Sequence, residues 1–217
     1  NFHVKKVKTK SKCKEHRLFS GFVICQKKDE LTLVCPKCDN VFKSKLESGY
    51  AQCACGYRIE EPKKGYVEKG KFHCPECEET NTISDYKEGE EYPFDTDIIA
   101  QEYYCPHCNT HDYKSVDNRD RELYEEAINR YEMLKDTLPI PQQQIPKGYN
   151  TNQIINHGYK YFKDLFNKRQ LLGLGILLKA IDEVDDEDVK FWFQLAFSGM
   201  LEMNNTFCRY QHNASKI

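Results

Sequence analysis

Long apolar runs are absent from this sequence. The longest, Leu171–Leu178, is interrupted by glycines and stays far below the roughly 20 residues that a membrane-spanning helix needs. No stretch has the pattern of a secretory signal peptide. We therefore expect no membrane partner, and a reducing, cytoplasmic location.

Aliphatic side chains are also scarce in the first half of the chain. Residues 35–116 contain eight Ile, Leu or Val in 82 residues, too few to offset the conformational entropy of folding unaided. Residues 154–201 contain fourteen in 48, enough for a core. The contrast predicts an α+β protein with zinc-ribbon β-hairpins in the N-terminal half and an α-helical subdomain after them. We place the boundary between residues 1–116 and 117–217.

Cysteine is abundant, with eleven residues in the chain, and eight of them form close pairs. In a reducing compartment such thiols bind metal rather than form disulfides. The pairs occur as CPKC, CAC, CPEC and CPHC, and Pro, Asp39, Gly56 and Asn109 suit the tight turn of a zinc knuckle. In sequence order they predict two four-cysteine sites: Cys35, Cys38, Cys53 and Cys55, then Cys74, Cys77, Cys105 and Cys108.

Four thiolates with no open position describe a structural rather than a catalytic zinc site, so we expect two structural Zn²⁺ ions. An iron–sulfur cluster, which uses the same ligands, is one alternative. The other alternative is that some of these cysteines are free thiols in the core. Cys13, Cys25 and Cys208 lack a close partner, and we expect them to be buried as small apolar residues. His73, His107 and His111 adjoin ligands and could each substitute in a mixed site, but the complete cysteine sets favour sites of cysteine alone.

Apolar periodicity predicts the elements outside the knuckles. Strands are expected over residues 3–10 and 18–25, and a helix from Asp117 or Asn118 through the following turns. Helical spacing resumes after residue 152, with Asp185–Asp188 at the start of the last helix. We expect these later helices to pack around six side chains: Leu171, Leu174, Leu178, Ile181, Trp192 and Leu195.

Charge is unevenly distributed along the chain. Residues 1–71 carry 17 Lys or Arg against 8 Asp or Glu, a net charge of +9, whereas residues 72–217 carry a net charge of −11. Such a basic segment either forms a solvated lysine surface or binds a polyanion, and lysines that bind phosphate supply affinity without sequence choice. The candidate nucleic-acid contacts are Lys5, Lys6, Lys8, Lys10, Lys12, Lys14, Arg17, Lys43, Lys45, Arg58 and Arg169.

Two stretches of the helical half, IPKGYNTNQIINHGYKYFKDLFNKRQLLGLGILLKAI and FSGMLEMNNTFCRY, resemble a known family. They are similar to the middle of large S-adenosylmethionine-dependent, adenine-specific DNA methylases, in which a cysteine-rich insertion precedes such a segment. The resemblance extends from the first CPxC to Tyr210 and is most specific at Leu165–Leu172. It implies DNA as a partner, and a restriction–modification context.

Two catalytic elements of that family do not occur in this sequence. The family has a glycine-rich cofactor loop after a strand and an (Asp/Asn)-Pro-Pro-aromatic tetrapeptide at the target base. Here Gly173 and Gly175 lie within a helical pattern, and YPFD at residues 92–95 has a single proline. The resemblance therefore implies no catalytic residue in this chain. S-adenosylmethionine would be bound only by the full-length enzyme, whose remaining catalytic region becomes an expected partner.

The expected function is that of a zinc-binding, DNA-binding segment of a DNA methyltransferase, inactive alone. For Arg169 and Gln170, a helix cap or a solvated helix face is as good an interpretation as a DNA contact. The alternative function is a non-catalytic zinc-ribbon adaptor that binds protein or nucleic-acid partners. An exposed apolar surface on the helices of residues 171–201 would favour this adaptor function.

Overall fold

The computed structural model describes residues 1–7, 15–45, 49–82 and 95–206 of the 217-residue chain. These residues form two compact units, one from Asn1 to Asp117 and the other beginning at Asn118. Antiparallel sheets make up the first unit and helices the second, which confirms the α+β class.

The first unit contains twelve described strands, most of them short. They are β1 Phe2–Val7, β2 His16–Arg17, β3 Val23–Lys27, β4 Glu30–Val34, β5 Val41–Lys45, β6 Ala51–Gln52, β7 Arg58–Ile59, β8 Val67–Glu68, β9 Lys71–His73, β10 Thr80–Thr82, β11 Thr96–Cys105 and β12 Thr110–Ser115. They pair into four sheets with the orders β12-β11-β1-β2, β3-β4-β5, β6-β7 and β10-β9-β8. Every pairing is antiparallel.

The main core of this unit surrounds β4. Its last four residues, from Leu31 to Val34, are all buried, as expected of a strand covered on both faces. Residues from β1, β3, β6, β7 and β11, and from the segment between β2 and β3, complete the cluster. Its fully or nearly buried members are Val4, Phe19, Phe22, Ile24, Leu31, Leu33, Val34, Ala51, Ile59, Ile99 and Ala100.

The strand expected over residues 18–25 is interrupted, because the chain there contacts another backbone segment. β2 ends at Arg17 and β3 begins at Val23. Between them, Phe19 O accepts the Val67 N–H at 2.9 Å and Ser20 O accepts the Gly65 N–H at 3.1 Å. A Cβ atom on Gly65 would lie 2.2 Å from Phe19 O, so only glycine allows this approach. The strand expected over residues 3–10 is present as β1, and residues 8–10 lie outside the described part.

The second unit contains α1 Asn118–Leu134, α2 Asn152–Asn156, a 3₁₀ turn Phe162–Leu165, α3 Lys168–Asp182 and α4 Glu187–Met203. Its core joins α1 and α3 through Tyr131, Leu171 and Leu172. Gly175 lets the connecting segment approach α3, because a Cβ there would lie 3.1 Å from Leu138. Gly175 is therefore a packing residue of α3, whereas a Cβ on Gly173 would meet nothing within 4 Å.

The expected packing of α4 is wrong. Leu171 and Ile181 are buried as predicted, but Trp192 is 66% exposed and Leu195 is 54% exposed. None of the α4 residues is buried. Asp186 does cap this helix, since its Oδ1 accepts the N–H groups of Asp188 and Val189 at 3.0 Å. No helix within the described ranges is both long enough and apolar enough to cross a membrane.

Candidate metal centre

The first knuckle is the turn between β4 and β5, and it carries Cys35 and Cys38. Cys35 N donates to Asn40 O and Asp39 N donates to Cys35 O, both at 2.9 Å. Asp39 has φ = 59°, a left-handed conformation that Asp tolerates better than most residues. The turn places the two thiols on one side of the sheet end.

The second knuckle closes the β6–β7 hairpin and carries Cys53 and Cys55. Cys53 N donates to Tyr57 O and Gly56 N donates to Cys53 O, each at 2.9 Å. Gly56 has φ = 84°, which a residue with a side chain rarely adopts. Ala51 on β6 and Ile59 on β7 are buried in the main core and hold this hairpin beside the first knuckle.

These four sulfur atoms lie together at the distances that a tetrahedral site requires. Cys35 Sγ is 3.7 Å from Cys55 Sγ, and Cys38 Sγ is 3.6 Å from Cys53 Sγ. All four lie within 4.8 Å of one another. Zinc–sulfur bonds of about 2.3 Å in a tetrahedron place sulfurs about 3.8 Å apart. The residues therefore fit a zinc ion, and the first predicted ligand set can hold a metal ion.

The surroundings of the four thiols bias their protonation differently. Burial raises the pKa of the Cys35 thiol to about 12, whereas a hydrogen bond from the Tyr57 backbone N–H lowers the pKa of Cys55 to about 7. A divalent cation among them would favour the thiolate form of all four. Asn40 Nδ2 also points at Cys53 Sγ from 3.8 Å, and Asn40 Oδ1 accepts from the Ser115 hydroxyl at 3.3 Å.

The second predicted set, Cys74, Cys77, Cys105 and Cys108, is not brought together. Within the described ranges, Cys35, Cys38, Cys53 and Cys55 are the one group of three or more potential ligands gathered closely enough for a metal ion. Cys105 and Cys108 lie at the tip of the β11–β12 hairpin, where Cys108 Sγ contacts Thr110 Oγ1 at 2.9 Å. The backbone N–H of Cys108 lowers the pKa of Cys105 there.

Strand register explains why the two halves of that set are apart. Phe2 of β1 pairs with Ala100 of β11, and Cys105 lies five residues beyond Ala100. Cys74 instead packs against Val7. Val7 lies five residues beyond Phe2 on β1, which runs antiparallel to β11, so Val7 and Cys105 lie on opposite sides of the Phe2–Ala100 pair. The ten residues that separate these two positions along the sheet, at about 3.3 Å per residue, place the hairpin tip roughly 30 Å from Val7.

Cys74 has a neighbour that the sequence interpretation missed, because His16 Nε2 lies 3.4 Å from Cys74 Sγ. The spacing Cys13-x₂-His16 was the available signal in the sequence. Of the three cysteines without a close partner, Cys25 is buried in β3 as expected. Cys13 and Cys208 lie outside the described residues.

The predicted nucleic-acid contacts differ in their surroundings and in whether the structure describes them. Lys8, Lys10, Lys12 and Lys14 lie outside the described residues. Most of the others contact carboxylates: Lys6 lies 3.5 Å from Glu15 and 3.4 Å from Asp95, Lys43 lies 3.5 Å from both Glu30 and Asp112, and Arg58 lies 2.8 Å from Glu60. Lys5 and Lys45 are exposed on β1 and β5.

Arg17 is a special case among these basic residues. Its side chain is about three-quarters buried, and its guanidinium donates to Asp39 and Asp97 together, so the N–H groups that a phosphate would need are already used. We therefore withdraw Arg17 from the candidate phosphate contacts.

The most family-like run, Leu165–Leu172, begins α3. Asn167 Oδ1 accepts the Gln170 N–H and Gln170 Oε1 accepts the Asn167 N–H, each at 2.9 Å, which makes a capping box. Leu171 and Leu172 enter the core and Phe166 packs against it. The cap interpretation of Gln170 is thus confirmed, and Lys168 and Arg169 are the exposed members of the run.

An exposed apolar surface lies on α4, formed by Val189, Phe191, Trp192, Phe193 and Leu195. Beside it, α3 and α4 enclose a groove of about 310 Å³ lined by apolar side chains that include Leu177 and Phe197. The acidic residues Asp185–Asp188 border one end of this surface.

No family model, no curated protein and no solved structure matches this chain, so the comparisons identify no family.

Proposed function

We propose that Cys35, Cys38, Cys53 and Cys55 hold a structural Zn²⁺ in a zinc-ribbon arrangement, within a DNA-binding segment of an adenine-specific DNA methyltransferase. The observation that carries the proposal is the approach of the four sulfurs to within 4.8 Å of one another. Four thiolates leave no coordination position for water or substrate, so the zinc would stabilise the fold and would not catalyse a reaction.

The DNA-binding part of the proposal is supported by charge. Residues 1–71 carry a net charge of +9, and Lys8, Lys10, Lys12 and Lys14 follow β1 at alternate positions. Lys6, Lys43 and Arg58 contact carboxylates. We therefore assign most of the phosphate affinity to Lys8, Lys10, Lys12 and Lys14, which we call the basic arm. Such contacts would bind the backbone of any DNA sequence.

The methyltransferase part is supported by the resemblance of Leu165–Leu172 and its surroundings. In this chain Gly173 and Gly175 belong to α3, so they do not form a cofactor loop. Methyl transfer to a flipped base would be carried out by a catalytic region of the same enzyme, which would bind S-adenosylmethionine. This chain would contribute affinity for the DNA backbone and a folded surface for that region.

A salt titration tests the proposal. Fluorescence anisotropy with a labelled DNA duplex would measure affinity between about 50 and about 200 mM salt, where affinity that depends on phosphate contacts falls steeply. Replacing the four lysines of the basic arm with Ala should weaken binding to all sequences alike and reduce the slope of log K against log salt by about 3–4. Zinc content should not change.

The matched control replaces four lysines of the acidic half, Lys160, Lys163, Lys179 and Lys190, with Ala. This variant removes the same charge and should leave the salt slope unchanged. Equal effects of the two variants would show that net charge alone governs binding, and unchanged binding by the basic-arm variant would refute the assignment of the contacts. Methylation of DNA by this chain alone would contradict the proposed division of labour.

The second candidate function is the protein-binding adaptor, and the exposed surface of α4 is the observation that favours it. Phe191, Trp192 and Leu195 are each more than half exposed, and such surfaces commonly mark protein contacts. The acidic Asp185–Asp188 beside them would complement positive charge. The partner chemistry that fits best is therefore an amphipathic helix with an apolar face and lysine or arginine around it.

Trp192 is the only tryptophan of the chain and reports on this surface directly. A synthetic amphipathic Leu/Lys helix should shift its fluorescence to shorter wavelength, whereas a Leu/Glu helix of equal length should not. The triple variant Asp185→Asn, Glu187→Gln, Asp188→Asn keeps the Asp186 cap and should weaken the effect of the Leu/Lys helix. Identical responses to the two peptides would contradict the charge assignment.

A further inference from the structure

We propose that His16, Cys74 and Cys77 are ligands of a second zinc ion, in a mixed sulfur and nitrogen site. This site differs from the predicted four-cysteine set, because it takes a histidine from β2 and excludes Cys105 and Cys108. It lies apart from the Cys35 centre and does not depend on DNA binding, so it stands or falls independently of the proposed function.

The distance between His16 and Cys74 is that of two ligands on one zinc ion. Nε2 of His16 lies 3.4 Å from Sγ of Cys74. Zinc–sulfur bonds of about 2.3 Å and zinc–nitrogen bonds of about 2.0–2.1 Å in a tetrahedron separate the two atoms by about 3.6 Å. His16 is 7% exposed and Cys74 is 3% exposed, so the pair is shielded from water.

The turn that follows Cys74 repeats the first knuckle. Cys74 N donates to Glu79 O at 2.9 Å and Glu78 N donates to Cys74 O at 3.0 Å, as Cys35 and Asp39 do in the first site. Glu78 has φ = 60°, against 59° for Asp39. Glu76 N also donates to Cys74 Sγ at 3.4 Å. Both turns therefore place a non-glycine residue of positive φ directly after the second cysteine.

The repeated turn assigns Cys77 a place in the site. Cys77 occupies the position of Cys38, three residues after the first ligand, on a backbone with the same hydrogen bonds. Among the described residues, its exposed sulfur does not join a close group of three ligands. On this backbone we assign the Cys77 sulfur the place that the Cys38 sulfur has in the first site.

Strand pairing holds His16 beside this turn. His16 pairs with Val7 of β1, and Leu18 N donates to Lys5 O at 2.8 Å. The His16 ring lies 5.4 Å from the Phe72 ring, and Phe72, on β9, is fully buried. The imidazole is therefore fixed in orientation, which metal-ligating histidines require. In the sequence, Cys13 stands three residues before His16, but it lies outside the described residues and the proposal does not rest on it.

Metal analysis of the whole chain, purified without added metal, distinguishes the two ligand sets. Wild type should contain two zinc ions. The double variant Cys105→Ser, Cys108→Ser should keep both, whereas His16→Ala combined with Cys74→Ser should keep one. His73→Ala, which changes an exposed histidine beside the knuckle, is the matched control and should keep both. One zinc in the Cys105/Cys108 variant would overturn the proposal.

A spectroscopic measurement covers the case in which the His16/Cys74 variant does not fold. His16→Cys preserves a ligand, so it should retain two metals. In the cobalt-substituted protein it should move the visible d–d absorption to longer wavelength, because sulfur gives a weaker ligand field than nitrogen. An unchanged cobalt spectrum would overturn the assignment of His16. X-ray absorption of the wild-type zinc protein should show both sulfur and nitrogen neighbours, and sulfur alone would equally refute it.

Discussion

Arg17 Nη2 donates to Asp39 Oδ2 at 3.0 Å and reaches Asp97 Oδ2 at 2.5 Å. Asp39 belongs to the Cys35–Cys38 knuckle, and Asp97 belongs to β11. One guanidinium therefore connects the candidate metal centre to the four-stranded sheet. All three side chains are about three-quarters buried, where charge-assisted hydrogen bonds are stronger than at the surface.

Replacing Arg17 with Ala should destabilise the first unit. It leaves Asp39 and Asp97 partly buried without their shared partner, and we expect a loss of about 1–3 kcal/mol in the free energy of unfolding. Denaturant unfolding of the zinc-loaded protein measures it. Arg58→Ala is the control, because Arg58 forms an exposed pair with Glu60 and should cost at most about 1 kcal/mol. Equal losses would show that Arg17 does not connect the two elements energetically.

Zinc removal should unfold the first unit and spare the second. In zinc-finger peptides, metal binding contributes about 10–16 kcal/mol to folding, and residues 35–116 have few aliphatic side chains to replace it. The α1–α3 core contains no cysteine of the proposed sites. Treatment with a chelator should therefore remove most native β-structure while the helical circular dichroism signal persists. Loss of the helical signal before zinc release would contradict this independence of the two units.

The first candidate metal centre could be predicted from the sequence because its four cysteines are local. Two short turns within residues 35–55 carry all four thiols, and the residues that permit those turns, Asp39 and Gly56, stand beside them. The proposed second site depends on longer-range pairing. The ten-residue length of β11 separates Cys105 from Cys74, and nothing in the cysteine spacing indicates that strand length.

Helix α4 shows a different limit of sequence interpretation. Its apolar periodicity correctly predicted a helix, and Asp186 caps it as the acidic start suggested. The apolar pattern does not show whether another element of the chain covers a given side chain, however. Trp192 was therefore wrongly assigned to the core. Phe, Trp and Leu occur both in cores and in exposed apolar patches, so only the positions of the neighbouring elements separate the two cases.

Because Trp192 is exposed, its replacement should change the free energy of unfolding little. Trp192→Ala should alter the free energy of unfolding by no more than about 0.5 kcal/mol, because surface substitutions leave no cavity. Leu171→Ala provides the contrast, since Leu171 is buried between α1 and α3 and should cost about 2–5 kcal/mol. Thermal unfolding of both variants gives the comparison. A large loss for Trp192→Ala in the isolated chain would show that the indole is buried in solution.

The capping box of α3 gives a test of the family-like run itself. Asn167→Ala removes the side chain that accepts the Gln170 N–H, and we expect a cost of about 1 kcal/mol, within the usual 0.5–2 range for helix caps. Arg169→Ala, two residues away and exposed, should leave stability within about 0.5 kcal/mol of wild type. If DNA affinity nevertheless falls in Arg169→Ala and not in Asn167→Ala, the arginine contacts DNA while its neighbours only build the helix start. If neither variant changes DNA affinity, the run serves the fold alone, and the basic arm carries the phosphate contacts.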